Sequence, residues 1–331
     1  MEKKRGFRIG RLLYPLGILL AIVAGIFIGL PLGHSGSLGA SLAEDRSCDV
    51  EFALLNPQLR CERVENKKKE YTVFKEQLET YIKDKKASGV IKSVAVYFRD
   101  LENGPWFGIE EDALFSPASM LKLPVLIAYY KNAESDPEIL GQEIGISASA
   151  SSEDNSYETQ SLQIGGSYTI DELLRRMIIL SDNTALHILL SYLKKAHPEG
   201  DLFAETLAAM GVAKSEGSEK DFLTVKRYSS FYRALYNASF LSKETSQRAL
   251  DLLTRTASPT GIDQGVPDGV TVAHKFGIRE NEGQYHDCGI VYDEQNPYIL
   301  CIMTRGTDIM NNTAVIQEIS RMVYEEVESR N

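Results

Sequence analysis

A serine three residues ahead of a lysine can do chemistry when the pair falls at the start of a helix. Positions i and i+3 then share a face, and a neutral amine there can take the hydroxyl proton. The helix N-terminus favours the negative charge that develops. The chain holds two such pairs, Ser119-Met-Leu-Lys122 and Ser191-Tyr-Leu-Lys194. Neither is rare by composition, so context must separate them. Ser119 follows Phe115-Ser-Pro117-Ala, where proline blocks an earlier helix, and it precedes the apolar run 121–130. It stands at a helix start, where an N-cap is the plainer use of a serine. Ser191 lies within an unbroken helical pattern, 187–195, and reads as a helix-face serine.

Two further groups bear polar reagents. Ser181-Asp182-Asn183 lies between helical patterns at 171–180 and 184–193, where all three residue types also serve as N-caps. His274-Lys275-Phe276-Gly277 lies on a strand pattern after Gly265–Gly269. A lysine there can fix an anionic substrate or stand as a solvated edge charge. His34, His187, His197, His274 and His286 are scattered, with no H-E-x-x-H and no cysteine spacing of a zinc site. Neither a metal nor a cofactor is expected.

The elements that must position these groups follow from periodicity. Apolar residues at Val73, Phe74, Leu78, Tyr81 and Ile82 predict an amphipathic helix over 65–86. A strand at 93–99, a turn at 102–104 and a strand at 106–109 predict a hairpin. Helical patterns fill 119–252 apart from a polar stretch at 147–167. Strand patterns return at 270–278, 288–292 and 298–304, and a helix closes the chain at 314–327. This order predicts an α/β (α+β) domain: an antiparallel sheet flanked by helices, with an all-helical second lobe and a cleft between the two.

The 331 residues divide further at the N-terminus. Residues 1–11 carry Lys3, Lys4, Arg5, Arg8 and Arg11 against Glu2, so a net charge of −10 leaves −14 on the rest. So acidic a body has no electrostatic footprint for nucleic acid. Residues 12–32 contain no charge and would span about 31 Å as a helix, enough to cross a bilayer. Basic residues on the N-terminal side predict a single-pass anchor with a cytoplasmic tail and an extracytoplasmic domain. A cleaved signal peptide competes, with Ser41-Leu42-Ala43 as its small-x-small site rather far downstream, but signal cores run to ~7–15 residues. Residues 33–70 form the tether, and 71–331 the domain. Outside the cytoplasm Cys48 and Cys61 can pair. Cys288 and Cys301 fall symmetrically about a turn at 293–297 and are expected as two small buried residues facing each other.

The order Ser-x-x-Lys, Ser-Asp-Asn, Lys-x-Gly resembles the serine penicillin-recognising enzymes, and class A β-lactamases in particular. The likeness extends over residues 115–125, 168–185 and 261–277, and covers the chain from about residue 70 onward. It implies that Ser119 attacks an acyl carbonyl, Lys122 helps to deprotonate it, and Ser181 relays a proton to the departing nitrogen. Asn183 would contact substrate and Lys122, and Lys275 would hold the substrate carboxylate, with Gly277 lining the same strand. The oxyanion would sit between the N–H groups of Ser119 and Ile278. Two positions depart from the family pattern. Phe276 stands where the family carries Thr or Ser, and no Glu-x-x-Leu-Asn occurs between Asn183 and Lys275, leaving Glu216, Glu219 or Asp221 as substitutes for the deacylating base, each more simply read as a solvated surface charge. The resemblance implies a membrane-anchored hydrolase of β-lactam amides. The alternatives are a penicillin-binding D,D-peptidase acting on peptidoglycan stem peptides, or a catalytically silent wall-binding or sensor domain.

Overall fold

A computed structural model of the chain describes residues 54–55, 71–102, 104–146, 162–198, 200–212, 220–258, 260–293 and 295–330. The expected anchor (12–32), most of the tether, Cys48, Cys61, Glu216 and Glu219 lie outside these residues. Among the described residues no helix is long and apolar enough to cross a membrane.

Five strands form one antiparallel sheet: β1 (Ser93–Asp100), β2 (Trp106–Ile109), β5 (Thr271–Arg279), β6 (Gln284–Tyr292) and β7 (Tyr298–Arg305), in the order β2-β1-β7-β6-β5. The central strands are apolar on both faces because both are covered. On β1, Val94, Val96 and Phe98 pack with Phe74, Leu78 and Ile82 of α1 (Thr72–Ala87) and with Val315, Ile316, Ile319 and Val323 of α8 (Ile309–Glu328). Ala95 and Tyr97 alternate to the other face and join the core of the helical lobe. Each large apolar side chain buried in this way contributes about 1.5–3 kcal/mol.

The lobe is built on α2 (Lys122–Ala133), which is buried on nearly every side, as a helix at the centre of a core must be. Around it lie α3 (Ile170–Ile179), α4 (Asn183–Ala196), α5 (Leu202–Ala209), α6 (Val225–Tyr236) and α7 (Lys243–Leu253). A two-stranded ribbon, β3 (Glu143–Gly145) with β4 (Ser167–Thr169), was not expected from the sequence. β6 begins at Gln284, four residues before the expected strand, because Gln284, His286 and Asp287 are polar yet buried with partners. Cys288 and Cys301 are register partners on β6 and β7 and are joined in a disulfide. That corrects the expectation of two merely buried thiols, since directly opposed cysteines bring their sulfurs within bonding reach.

Candidate active site

A 3-10 turn, Ala118–Leu121, leads directly into α2, whose first residue is Lys122. Ser119 is therefore inside the turn and caps nothing with its side chain. Its Oγ lies 3.0 Å from Lys122 Nζ. Ala118 holds a left-handed φ of 47°, a conformation that costs a non-glycine residue about 1–2 kcal/mol. The turn is held in turn by its surroundings. The Met120 N–H donates to the Pro117 carbonyl at 2.9 Å, and the Tyr228 hydroxyl donates to the Met120 carbonyl at 2.9 Å.

The second group comes from the α3–α4 junction. Asp182, not Ser181, caps α4: its Oδ1 accepts from the Ala185 N–H at 3.0 Å. Ser181, at a left-handed φ of 56°, is thereby left free to turn its hydroxyl inward. Lys122 Nζ lies 2.9 Å from Ser181 Oγ, 2.5 Å from the Ser181 carbonyl and 2.6 Å from Asn183 Oδ1. With Ser119 this makes four oxygens around one fully buried amine. An ammonium has three protons and a neutral amine has two plus a lone pair, so one contact is shared in either state. Ser191 and Lys194, by contrast, are exposed on α4.

The third wall is β5. Lys275 is fully buried, with Nζ 3.1 Å from Ser181 Oγ, 3.2 Å from the Phe276 carbonyl, and above the Phe276 ring. Burial, and then the nearby Lys122 charge, push its pKa well below the usual lysine value, against a smaller opposing pull from Asp287. Gly277 brings the strand onto the turn that carries Ser119. A Cβ there would stand 2.9 Å from both the Pro117 carbonyl and Met120 Cγ. β5 is an edge strand. On its free side the His274 carbonyl accepts from the Thr256 hydroxyl at 2.8 Å, and the Phe276 carbonyl accepts from Lys275. The two-residue repeat turns the Ile278 N–H to that same side. Phe276 itself is buried in the cluster under α8, its ring stacked with Tyr285.

Of the expected residues, Ser119, Lys122, Ser181, Asn183 and Lys275 thus meet around two amines, with Gly277 and Ile278 on the bordering strand. Asp221 does not join them. Its carboxylate pairs with Arg305 at 2.6 Å and accepts from Gln284 Nε2 at 3.3 Å.

Two buried clusters escaped the sequence. His274 Nδ1 lies 2.8 Å from Asp287 Oδ2, which also accepts from the Ile262 N–H at 2.7 Å. His274 Nε2 is 4.0 Å from Asp263 Oδ1. Burial alone lowers the His274 pKa, but the Asp287 charge and hydrogen bond outweigh it and raise the value. Asp263, His274 and Asp287 come from three separate segments, so no spacing announces them. The second cluster, around His286 and Ser116, is equally non-local.

A sequence model described as the β-lactamase enzyme family matches residues 74–327. No curated protein matches the chain. Among solved structures, PBP-A shares 21% identity over 76% of this chain and 96% of its own, at a TM-score of 0.65. A β-lactamase from Xanthomonas campestris pv. campestris shares 18% over 76% and 97%, at 0.67. A class A β-lactamase from Mycobacterium abscessus shares 21% over 76% and 98%, at 0.66. At such identities these structures establish a common fold.

Proposed function

Because the chain belongs to the β-lactamase enzyme family, we propose that it is a serine hydrolase that opens β-lactam amides through an acyl-enzyme on Ser119. The observation that carries this is the Lys122 amine, fully buried and 3.0 Å from Ser119 Oγ. Lys122 in its neutral form takes the hydroxyl proton as Oγ attacks the carbonyl. The Ser119 and Ile278 N–H groups receive the oxyanion, and losing one such donor costs ~10²–10³ in rate. Ser181, bonded to both lysines, passes a proton to the departing nitrogen. Asn183 orients Lys122 through Oδ1 and offers its amide N–H to substrate. Lys275, which is fully buried, acts on the substrate carboxylate by its field and through Ser181.

A penicillin-binding peptidase that acylates well and deacylates slowly is favoured by one specific observation. Asp221, the described candidate for the deacylating base, is committed to Arg305 and Gln284. General-base assistance is worth ~10²–10⁴, enough to separate the two behaviours. A variant of PBP-A has been solved as an acyl-enzyme with penicillin G. We place the domain outside the cytoplasm on the charge-free span 12–32, preceded by its basic tail.

Incubation with a chromogenic cephalosporin, following both turnover and protein mass, decides among these. Sustained colour release supports the hydrolase, and a stable adduct with little turnover supports the peptidase. Neither turnover nor adduct leaves a silent domain. A soluble product with a new N-terminus near Glu44 would replace the anchor by a cleaved signal.

A further inference from the structure

We propose that His286 is a positioning residue for Ser119, acting through Ser116 to hold the nucleophile turn in its strained shape. The proposal rests on the assignment of Ser119 as nucleophile. A left-handed Ala118 is stable only where the surroundings over-determine it. Within the turn itself the Met120–Pro117 bond is local support, so restraint must come from either side of it.

Ser116, immediately before Pro117, is fully buried, and all three of its polar groups are gripped by residues of β5 and β6. Its N–H donates to Gln284 Oε1 at 3.1 Å. Its hydroxyl accepts from Arg279 Nη1 at 2.8 Å. Its carbonyl lies 3.0 Å from His286 Nε2. The Thr304 N–H donates to His286 Nδ1 at 3.2 Å. A backbone N–H can only donate, so Nδ1 carries no proton and Nε2 does. The imidazole is therefore neutral, in one tautomer, with its single N–H aimed at the Ser116 carbonyl. The same N–H is shared with Gln284 Oε1 at 3.2 Å, whose amide is oriented by Nε2 donating to Asp221 and Glu282.

The groups facing the ring keep it so. The Phe115 ring meets it edge-on at 5.4 Å. Burial outweighs the opposing hydrogen bonds to Ser116 and Tyr285 and brings the pKa down to about 4, with Arg305 lowering it and Asp221 raising it by less. β6 thus holds the backbone before the turn through Ser116, while the Tyr228 hydroxyl holds the Met120 carbonyl within it at 2.9 Å. A histidine that merely filled the core would need neither a fixed tautomer nor a grip on this carbonyl.

The test compares parent, His286→Phe and His286→Gln by the rate of adduct formation with penicillin G, read by mass across a concentration series. His286→Phe keeps the ring volume and removes the donor. It is expected to lower the saturating acylation rate ~10–100-fold, as misplacement of a nucleophile does, with the half-saturating concentration within about threefold. His286→Gln, whose amide reaches as far as Nε2, is expected to recover most of the rate. A folded His286→Phe with the parent's rate overturns the proposal, as does a folded His286→Gln no better than His286→Phe. If His286→Phe does not fold, Gln284→Met, which removes the acceptor of the Ser116 N–H, carries the test, and an unchanged rate in it is fatal. Should penicillin leave the parent unmodified, the assignment of β-lactam chemistry fails separately. The same variants are then ranked by labelling of Ser119 with a fluorophosphonate, and an unlabelled parent or an unchanged ranking ends the positioning role.

Discussion

His274 and His286 lie on adjacent strands of one hairpin, equally buried, and face opposite sides of the sheet. His286 faces the Ser119 turn and meets a carbonyl, a side-chain amide and a backbone N–H. His274 faces away from it and meets the carboxylate of Asp287 at 2.8 Å, with Asp263 beyond. Burial alone disfavours the cation at both positions. It prevails at His286, which is driven to about 4, and is overruled at His274, where a charge stands in contact. The face toward Ser119 thus gains a neutral donor of fixed direction, and the opposite face gains a buried histidine–carboxylate pair that favours the proton.

The largest expected difference between the two faces lies in reactivity. Lys122→Ala should lower acylation by at least ~10⁴, as loss of one member of a catalytic unit does, while the protein still unfolds cooperatively. A mass-spectrometric time course with penicillin checks this, and parent-like acylation would remove Lys122 from the mechanism. On the other face, Asp287→Asn should cost about 3–5 kcal/mol at a pH where His274 is protonated, because it removes the carboxylate charge that faces the buried cation. Chemical denaturation measures that loss, and acylation per folded molecule should change far less than in Lys122→Ala.

pH sharpens the contrast. For His286 the unfolded chain takes up a proton near pH 6.5 while the folded chain waits until about 4. Stability should therefore fall by about 3 kcal/mol as pH drops through that window. For His274 the folded value is the higher one, so its contribution is complete below about pH 6.5 and is lost as pH rises through the raised value. A denaturation series against pH should show a maximum between the two limbs. His286→Gln should flatten the acid limb and Asp287→Asn the alkaline one. A profile unchanged in either variant would break the comparison.

The smallest effect tests the contact between the hairpin and the turn. Gly277→Ala puts a Cβ 2.9 Å from the Pro117 carbonyl and should slow acylation about 10-fold or more by displacing Ser119. A rate equal to the parent's would show that the strand can retreat without moving the nucleophile.

The legible part of this protein is what lies close along the chain. Ser119 and Lys122 meet because three residues make a turn, and Ser181-Asp182-Asn183 was recognisable because a helix must begin there. The order of strands and helices followed from two periodicities, although β3, β4 and the polar start of β6 did not show. Cys288 and Cys301 sat symmetrically about their turn, yet only the register of β6 against β7 made them a bonded pair. The division of labour within 181–183 was equally hidden. Any of the three residues can cap α4, and the tertiary environment gave that task to Asp182 and turned Ser181 toward two lysines.

What the sequence determined by itself was which segments carry the reactive side chains and which of those side chains share a face, because helical and strand periods translate residue spacing directly into shared faces. What only the tertiary structure decided was the electrostatic state of each group. Lys275 became a buried amine beside a second one, Asp221 was drawn to Arg305, and a histidine 170 positions from Ser116 took hold of its carbonyl. Burial and charge contact depend on which strands and helices close over a residue, and those neighbours come from distant parts of the chain.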